Sequence, residues 1–397
     1  MLRVMFVTAS LSHGGAERSS ITLMNRLSDR GHECHAVHVK AAAEQLGRLR
    51  IRGEGTVRSL NVTRRFEARA VADLAAHISR IKPSVIVAVN PYALMYAWLA
   101  LRVARVRARL VVAYHSNRLL DAKEWVQMLL YRLFFWTSDC AVFVCEKQRQ
   151  YWLRKGVLSQ RNVVIYNGVD TEEFRDSWSP EERRRFRASL GFSDEDFVVG
   201  ISALLRPEKN HLQLVEAIAL LRSRGVAARA LMIGDGPMRA AIEARARSLA
   251  VGGDVVITGF QQDVRPHLAA SDAVALCSFT EAFSVAAIEA MAMGRPVVHS
   301  DVGGASEMIM PGQNGLLFPA GNTALLVDKL AILANRAASS EMGRAARTVA
   351  TRLFSEETMV DRYEQTLRHL CKQLSGEAVR PDHHNHAKST WSDPTIP

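Results

Sequence analysis

The chain has no Cys-x-x-Cys pair and no zinc-ligand spacing. Its five cysteines (Cys34, Cys140, Cys145, Cys277, Cys371) are odd in number and scattered. Several fall in apolar strand-like runs, so buried thiols in a reducing compartment are expected rather than a disulfide framework. Long apolar runs are also missing. Met1–Thr8 is apolar but short and is followed by polar, glycine-rich sequence, which reads as a first strand and not as a secretory signal. Tyr92–Leu101, the best candidate for a membrane span, meets Arg102 and Arg105 far too early. The expectation is a cytoplasmic protein, with peripheral attachment to the inner face of the membrane left open. The sequence carries no G-x-G-x-x-G, which weighs against a nicotinamide enzyme. It has no recognisable nucleic-acid module and no repeat at solenoid periods.

What is present points to a globular enzyme. The chain has 397 residues, 48% of them hydrophobic, enough for two domains with separate cores. The net charge of +11 is unevenly divided: residues 1–167 carry 26 basic and 11 acidic residues, the remainder 25 and 29. A basic half joined to a mildly acidic one implies that only the first meets an anionic surface.

Strand-like and helix-like runs alternate throughout. Strands are expected at Arg3–Ala9, Glu33–Val39, Ser84–Val89, Leu110–Tyr114, Ala141–Cys145 and Val163–Tyr166. A second series runs through Phe197–Ala203, Arg229–Ile233, Val255–Thr258, Ala273–Cys277 and Pro296–Ser300. Alternation of this kind argues for parallel sheets in two doubly wound, Rossmann-like α/β domains. The divisions read as 1–170 for the first domain, 171–195 for a linker and 196–354 for the second domain. A final helix over 355–375 and a disordered tail over 376–397 complete the chain. His383, His384 and His386 in that tail read as solvated rather than metal-binding.

The chemistry-bearing residues sit at strand ends. Glu281 lies on a loop after the fourth strand of the second series, and Glu289 about two turns into the next helix, which Gly294 and Pro296 end. In an open α/β sheet ligands bind at that edge, and carboxylates suit a ligand rich in hydroxyls. Spacing alone leaves an exposed loop Glu and a solvated helix Glu equally open. His13-Gly14-Gly15-Ala16-Glu17-Arg18 joins the first strand to a helix, where glycines permit close backbone approach and free N–H groups can meet an anion. By itself it could be only a tight turn. Arg206 and Lys209 bring two cations to one loop, where they can stabilise a leaving diphosphate, or else simply start a surface helix. Gly234-Asp-Gly-Pro237 and Thr258-Gly259-Phe260 are strand-end turns, and Gly303-Gly304 reads as a structural one. Asp194-Glu-Asp196 has the look of a metal-binding D-x-D, yet its place before a strand favours a solvated turn. No metal site is expected.

The segment E-A-F-S followed by I-E-A-M-A-M-G-R-P-V-V (Glu281–Val298) resembles the Glu-x7-Glu motif of the retaining glycosyltransferases of family four, which have the GT-B fold. The G-G-A-E loop, Leu205–Asn210, the G-x-G-P turn and Tyr114-His115-Ser116-Asn117 add to the likeness, which spans about residues 1 to 375. The resemblance implies that Glu281 contacts the transferred sugar and Glu289 the nucleotide ribose. It implies that backbone amides of Ala282, Phe283, Ser284 and Val285 reach the sugar and diphosphate, and that Arg206 and Lys209 bind the diphosphate. Gly14 and Gly15 would approach the donor or acceptor, Gly259 and Phe260 would border the base, and His115 would stand in the catalytic cleft. Ala282 and Ser284 replace two glycines of the common pattern. The implied chemistry is front-face transfer from a nucleotide sugar, UDP-linked in preference to GDP-linked, with no cofactor.

Arg102, Arg105, Arg107 and Arg109 form a close basic series, followed by Trp125–Trp136 with Lys123 and Arg132 nearby. Such a mixture suits an anionic membrane surface or a polyprenyl-diphosphate-linked acceptor, although part of Trp125–Trp136 is expected in the core. The expected activity is sugar transfer to a glycan or lipid-linked acceptor in cell-surface polysaccharide biosynthesis. Two rivals stand beside it: a GT-B enzyme of epimerase or phosphorylase type, and a catalytically silent binding protein at the membrane.

Overall fold

Runs of β-branched residues too short for helices, such as the wholly buried Val85-Ile-Val-Ala-Val89, form the interior strands. The structure, a computed structural model, describes residues 1–12, 14–116 and 122–372, the side chains of 122–124 excepted. The first half contains β1 (Arg3–Thr8), α1 (Gly15–Asp29), β2 (Glu33–His38), β3 (Val57–Ser59), α2 (Ala68–Ile81), β4 (Val85–Val89) and α3 (Asn90–Ala104). It continues with β5 (Arg109–Tyr114), α4 (Ala122–Trp136), β6 (Cys140–Phe143), α5 (Glu146–Arg154) and β7 (Arg161–Val164). These strands pair in parallel, in the order β3-β2-β1-β4-β5-β6-β7.

The second half contains α6 (Pro180–Ser189), β8 (Phe197–Ser202), α7 (His211–Ser223), β9 (Ala228–Ile233), α8 (Arg239–Ser248), β10 (Val255–Ile257) and α9 (Arg265–Ala270). After β11 (Ala273–Leu276) come α10 (Val285–Ala292), β12 (Val297–Ser300), α11 (Ala305–Met308), β13 (Gly315–Phe318), α12 (Thr323–Leu333), α13 (Arg336–Leu353) and α14 (Glu356–Lys372). Its strands are also parallel, ordered β10-β9-β8-β11-β12-β13. The two sheets and their helices make the GT-B architecture of paired doubly wound domains.

Two strands escaped the sequence reading. β3 is a three-residue edge with Val57 and Arg58 exposed, and β13 is an apolar tetrapeptide; neither is long enough to show a period. The segment 171–195 is not plain linker. Within it Ser179 and Glu182 form a capping box around Pro180 and start α6. Pro237 precedes α8 by two residues instead of opening it. Cys34, Cys140, Cys145 and Cys277 are buried thiols, and burial pushes each up to about 12.

Val169 bridges Ser355, which brings α14 back to the first sheet. There Met359, Val360, Tyr363, Leu367 and Leu370 join one core with residues of α1, β1, β4 and β5. The helix's polar edge is tied down by Glu364, which accepts from Arg30 Nη1 at 2.9 Å, His32 Nε2 at 3.1 Å and Arg368 Nη2 at 2.7 Å. Burial raises this carboxyl, but the hydrogen bonds from Arg30, Arg368 and His32 outweigh it and hold the group at about 2. The stability Glu364 contributes is therefore present above its ordinary value of 4.5 and lost as pH falls toward 2. In urea titrations, the gap in unfolding free energy between wild type and Glu364→Gln is expected to hold steady at neutral pH and shrink through that window. A gap independent of pH would refute the linkage. Residues 373–397, including the rest of the expected final helix and tail, lie outside the described residues.

Candidate active site

Both sheets reverse their strand order in the middle: β1 and β4 are neighbours in the first, β8 and β11 in the second. A crevice forms outside the carboxyl ends of strands at such a switch point. The segments leaving β1, β8 and β11 carry Gly14 with Gly15 at the start of α1, Arg206–Lys209, and Ser278–Ser284, so the fold places three separated motifs at its two crevices.

On the second domain the loops after β8 and β11 are linked by Phe279 N–H donating to the Glu208 carbonyl at 2.9 Å. This fixes Lys209 against Glu281, Nζ to Oε2 at 2.5 Å, and Ser278 Oγ donates to the same carboxylate oxygen at 3.4 Å. Arg206 is exposed, with its guanidinium 4.0 Å from Glu208. Ser284 caps α10 by accepting from Ala287 N–H at 3.3 Å, which aims the first amides of that helix at the loop. Phe283 turns its ring inward, stacked 4.9 Å from Tyr166, so only its backbone remains for a ligand. Gly303 has φ of +53°, and a Cβ there would stand 1.9 Å from the Glu281 carbonyl. A Cβ on Gly304 would meet Phe283 and Cys145 at 2.6 and 2.7 Å. Gly303-Gly304 is thus the floor on which the Glu281 loop rests.

Glu289 is 3% exposed and faces the other domain. Its partner is Arg18 of α1, Nη1 to Oε1 at 2.6 Å. Burial raises the Glu289 carboxyl above its ordinary range, and Arg18 draws it only partly back. Arg18 was not singled out by the sequence reading, although it directly follows G-G-A-E; only the folded chain brings it across the cleft. Two further bridging residues were likewise missed. Asn167 Nδ2 donates to the Phe283 carbonyl at 3.1 Å, and Glu307 accepts from the Glu146 and Lys147 amides at 2.7 and 2.8 Å, capping α5 from the opposite domain.

His115 lies at the end of β5, where its backbone N–H donates to Asn90 Oδ1 at 3.0 Å. It lines a small cavity with Ser19, Asn167 and Tyr363, and burial lowers its imidazole to about 4. It is therefore neutral at physiological pH. His13 and Asn117 of the flanking motifs lie outside the described residues. Gly259 pairs with Gly234 at the turn after β10, and Phe260 is 59% exposed there. Asp196 is a correction: it is buried, accepts from Ser193 N–H at 2.7 Å and lies 4.0 Å from Arg229, so it is a structural carboxylate and not a solvated one.

The basic series divides. Arg102, Arg105 and Arg107 are exposed. Arg109 turns inward to Asp139 at 2.5 Å and the Leu370 carbonyl at 3.0 Å, so it is not part of an outer surface. Arg132 is half-buried, and the Lys123 side chain lies outside the described residues. On α4, Met128, Tyr131 and Phe135 are buried as expected of a core helix, but Val126, Leu129, Leu130, Leu133 and Trp136 are exposed. Among the described residues, no helix is long and apolar enough to cross a membrane.

Comparison with known proteins bears on the family and the fold. The family model described as Glycosyltransferase Family 4 matches residues 13–173, and that described as Glycosyl transferases group 1 matches residues 182–349. EpsD of Bacillus subtilis, named as a glycosyltransferase, is 31% identical over 255 residues, 62% of this chain and 65% of that protein. The N-acetyl-alpha-D-glucosaminyl L-malate synthase of Bacillus anthracis is 29% identical over 202 residues, 51% of this chain and 52% of that enzyme. The matches thus span less than two thirds of either relative. The solved structure of HepE from Anabaena in complex with UDP-glucose shares the fold with a TM-score of 0.79 at 22% identity, covering 93% of this chain and all of that one.

Proposed function

The chain belongs to glycosyltransferase family four, and from that premise we propose that it is a retaining, metal-independent glycosyltransferase. It moves a sugar from a nucleotide-sugar donor, UDP-linked in preference to GDP-linked, to a glycan or polyprenyl-diphosphate-linked acceptor. The reaction takes place at the cytoplasmic face of the membrane, in cell-surface polysaccharide biosynthesis. The observation that carries the reading is the convergence of Glu281, Glu289 and Lys209 on the second crevice, opposite Arg18 of the first domain. The UDP preference draws on HepE, which was solved with UDP-glucose.

In this reading residues 1–170 form the acceptor side and 196–354 the donor side. Glu289 holds the ribose hydroxyls, so the Arg18 guanidinium must leave that carboxylate as the donor enters. Glu281 holds the sugar, and Arg206 and Lys209 offset the charge that grows on the leaving diphosphate. The amides from Ala282 to Val285, with Gly14 and Gly15, approach the diphosphate and sugar, while Gly259 and Phe260 border the base. The acceptor oxygen bonds to the anomeric carbon on the face from which the phosphate oxygen departs, and the acceptor proton passes to that phosphate. His115, neutral, is suited to hydrogen-bonding the sugar rather than to acid catalysis.

The test is thermal stabilisation by UDP-, GDP- and ADP-sugars, followed by an acceptor screen with the product's anomeric configuration read by NMR. A selective UDP-sugar shift and a product of retained configuration are expected. No shift with any nucleotide would overturn the donor site. Products formed without acceptor would favour the epimerase or phosphorylase reading.

A further inference from the structure

The outer face of α4 is unlike that of an ordinary surface helix, which carries charges toward water. Val126, Leu129, Leu130, Leu133 and Trp136 are 63, 53, 71, 52 and 52% exposed. Their spacing places them on one stripe, which extends about 15 Å along the helix. Val103 at the end of α3 and Leu158 beyond α5 are also exposed. The stripe is held rigidly. Trp136 Nε1 donates to the Gly156 carbonyl at 2.8 Å, and Trp98 Nε1 donates to Thr137 Oγ1 at 2.7 Å.

Cations rim the same surface. The Arg102 guanidinium lies 4.4 Å from the Trp98 ring centroid and Lys155 Nζ 4.9 Å from that of Trp125; Arg105 and Arg107, which follow α3 in the chain, and Arg154, next to Lys155, are exposed. The sequence has no Asp or Glu from residue 74 to 120, and none from 125 to 138. An occupant must therefore be apolar within and anionic at its surface. A second copy of the chain fits poorly, because docking the same face would bring two cationic rims together. We propose that this face seats the protein on an anionic lipid bilayer, with α4 lying in the interface plane and its leucines and Trp136 among the acyl chains. The inference rests on the membrane-acceptor reading above and names the surface that serves it. α4 begins seven residues after His115, so a docked α4 sets the first crevice beside the headgroups.

Flotation of the full chain with phosphatidylcholine vesicles, with and without phosphatidylglycerol, tests this. Binding is expected only to the anionic vesicles, and it should weaken as salt rises. The double variant Leu129→Glu/Leu130→Glu should lower the bound fraction roughly tenfold or more. Its melting temperature and its stabilisation by nucleotide sugar should stay at wild-type values, since both side chains face water. Arg102→Glu/Arg107→Glu should abolish the preference for anionic vesicles. Absence of binding by the wild type, or undiminished binding by the leucine variant, overturns the proposal. So does a wild-type dimer in sedimentation velocity that the leucine variant dissociates, because the face would then be an interface between copies. Donor stabilisation that persists without vesicle binding sinks this inference alone, whereas its loss in the wild type sinks the glycosyltransferase reading.

Discussion

Glu289→Ala is expected to weaken nucleotide-sugar binding roughly 100-fold or more, because in the proposed site two ribose hydroxyls lose hydrogen bonds to a charged group at about 1.5–3 kcal/mol each. The folded protein should tolerate the change. Arg18 is the carboxylate's ion partner, with 38% of its side chain exposed, and can turn to water once the carboxylate is gone. Removing a buried charge also removes its desolvation penalty, so stability should move by no more than about 1–2 kcal/mol. Isothermal titration with the preferred donor, set beside a urea titration of each protein, separates the two quantities. A variant that binds donor as wild type does would show that the ribose lies elsewhere. Glu289→Gln, which keeps the shape and loses the charge, should fall between the two.

Lys209→Ala should act on turnover instead. Its ammonium sits 2.5 Å from Glu281 on the β8 loop, and in the proposed reaction it meets the charge that appears as the diphosphate departs. Loss of one preorganised group of this kind lowers kcat by about 10²–10³-fold, or roughly 2.7–4 kcal/mol of transition-state stabilisation. KM should change much less, since the ground-state donor keeps Glu289 and the loop amides. Steady-state kinetics with donor and acceptor varied separately would show it. A rise in KM at constant kcat would mean that Lys209 only binds, and an unchanged enzyme would remove it from the site.

Much of this was legible in the chain. Interior parallel strands such as Val85–Val89 are continuous apolar runs bounded by polar turns, and the order of strand, motif and helix needs no distant contact to be read. The strand-end positions of Glu281, Lys209 and Gly15 followed from that alternation together with the family likeness. Edge elements were hidden for the opposite reason: Val57–Ser59 and Gly315–Phe318 are too short to show a period, and pairing with the neighbouring strand is what makes them strands. α6 was hidden in a polar segment whose capping box signals a helix without an apolar stripe.

Contacts between distant parts of the chain were beyond the sequence. Arg18 and Glu289 are 271 positions apart, and nothing local marks either as the other's partner. Glu307 capping α5 and Asn167 reaching the Phe283 carbonyl are of the same kind. Arg109 looked like its exposed neighbours until Asp139 and the end of α14 drew it inward. Composition alone established a basic first half, a mildly acidic second and an apolar α4. Which of that helix's apolar residues face water depends on the packing of α3 and β5 against it, because hydropathy records how apolar a residue is and only tertiary packing decides which side of it is covered.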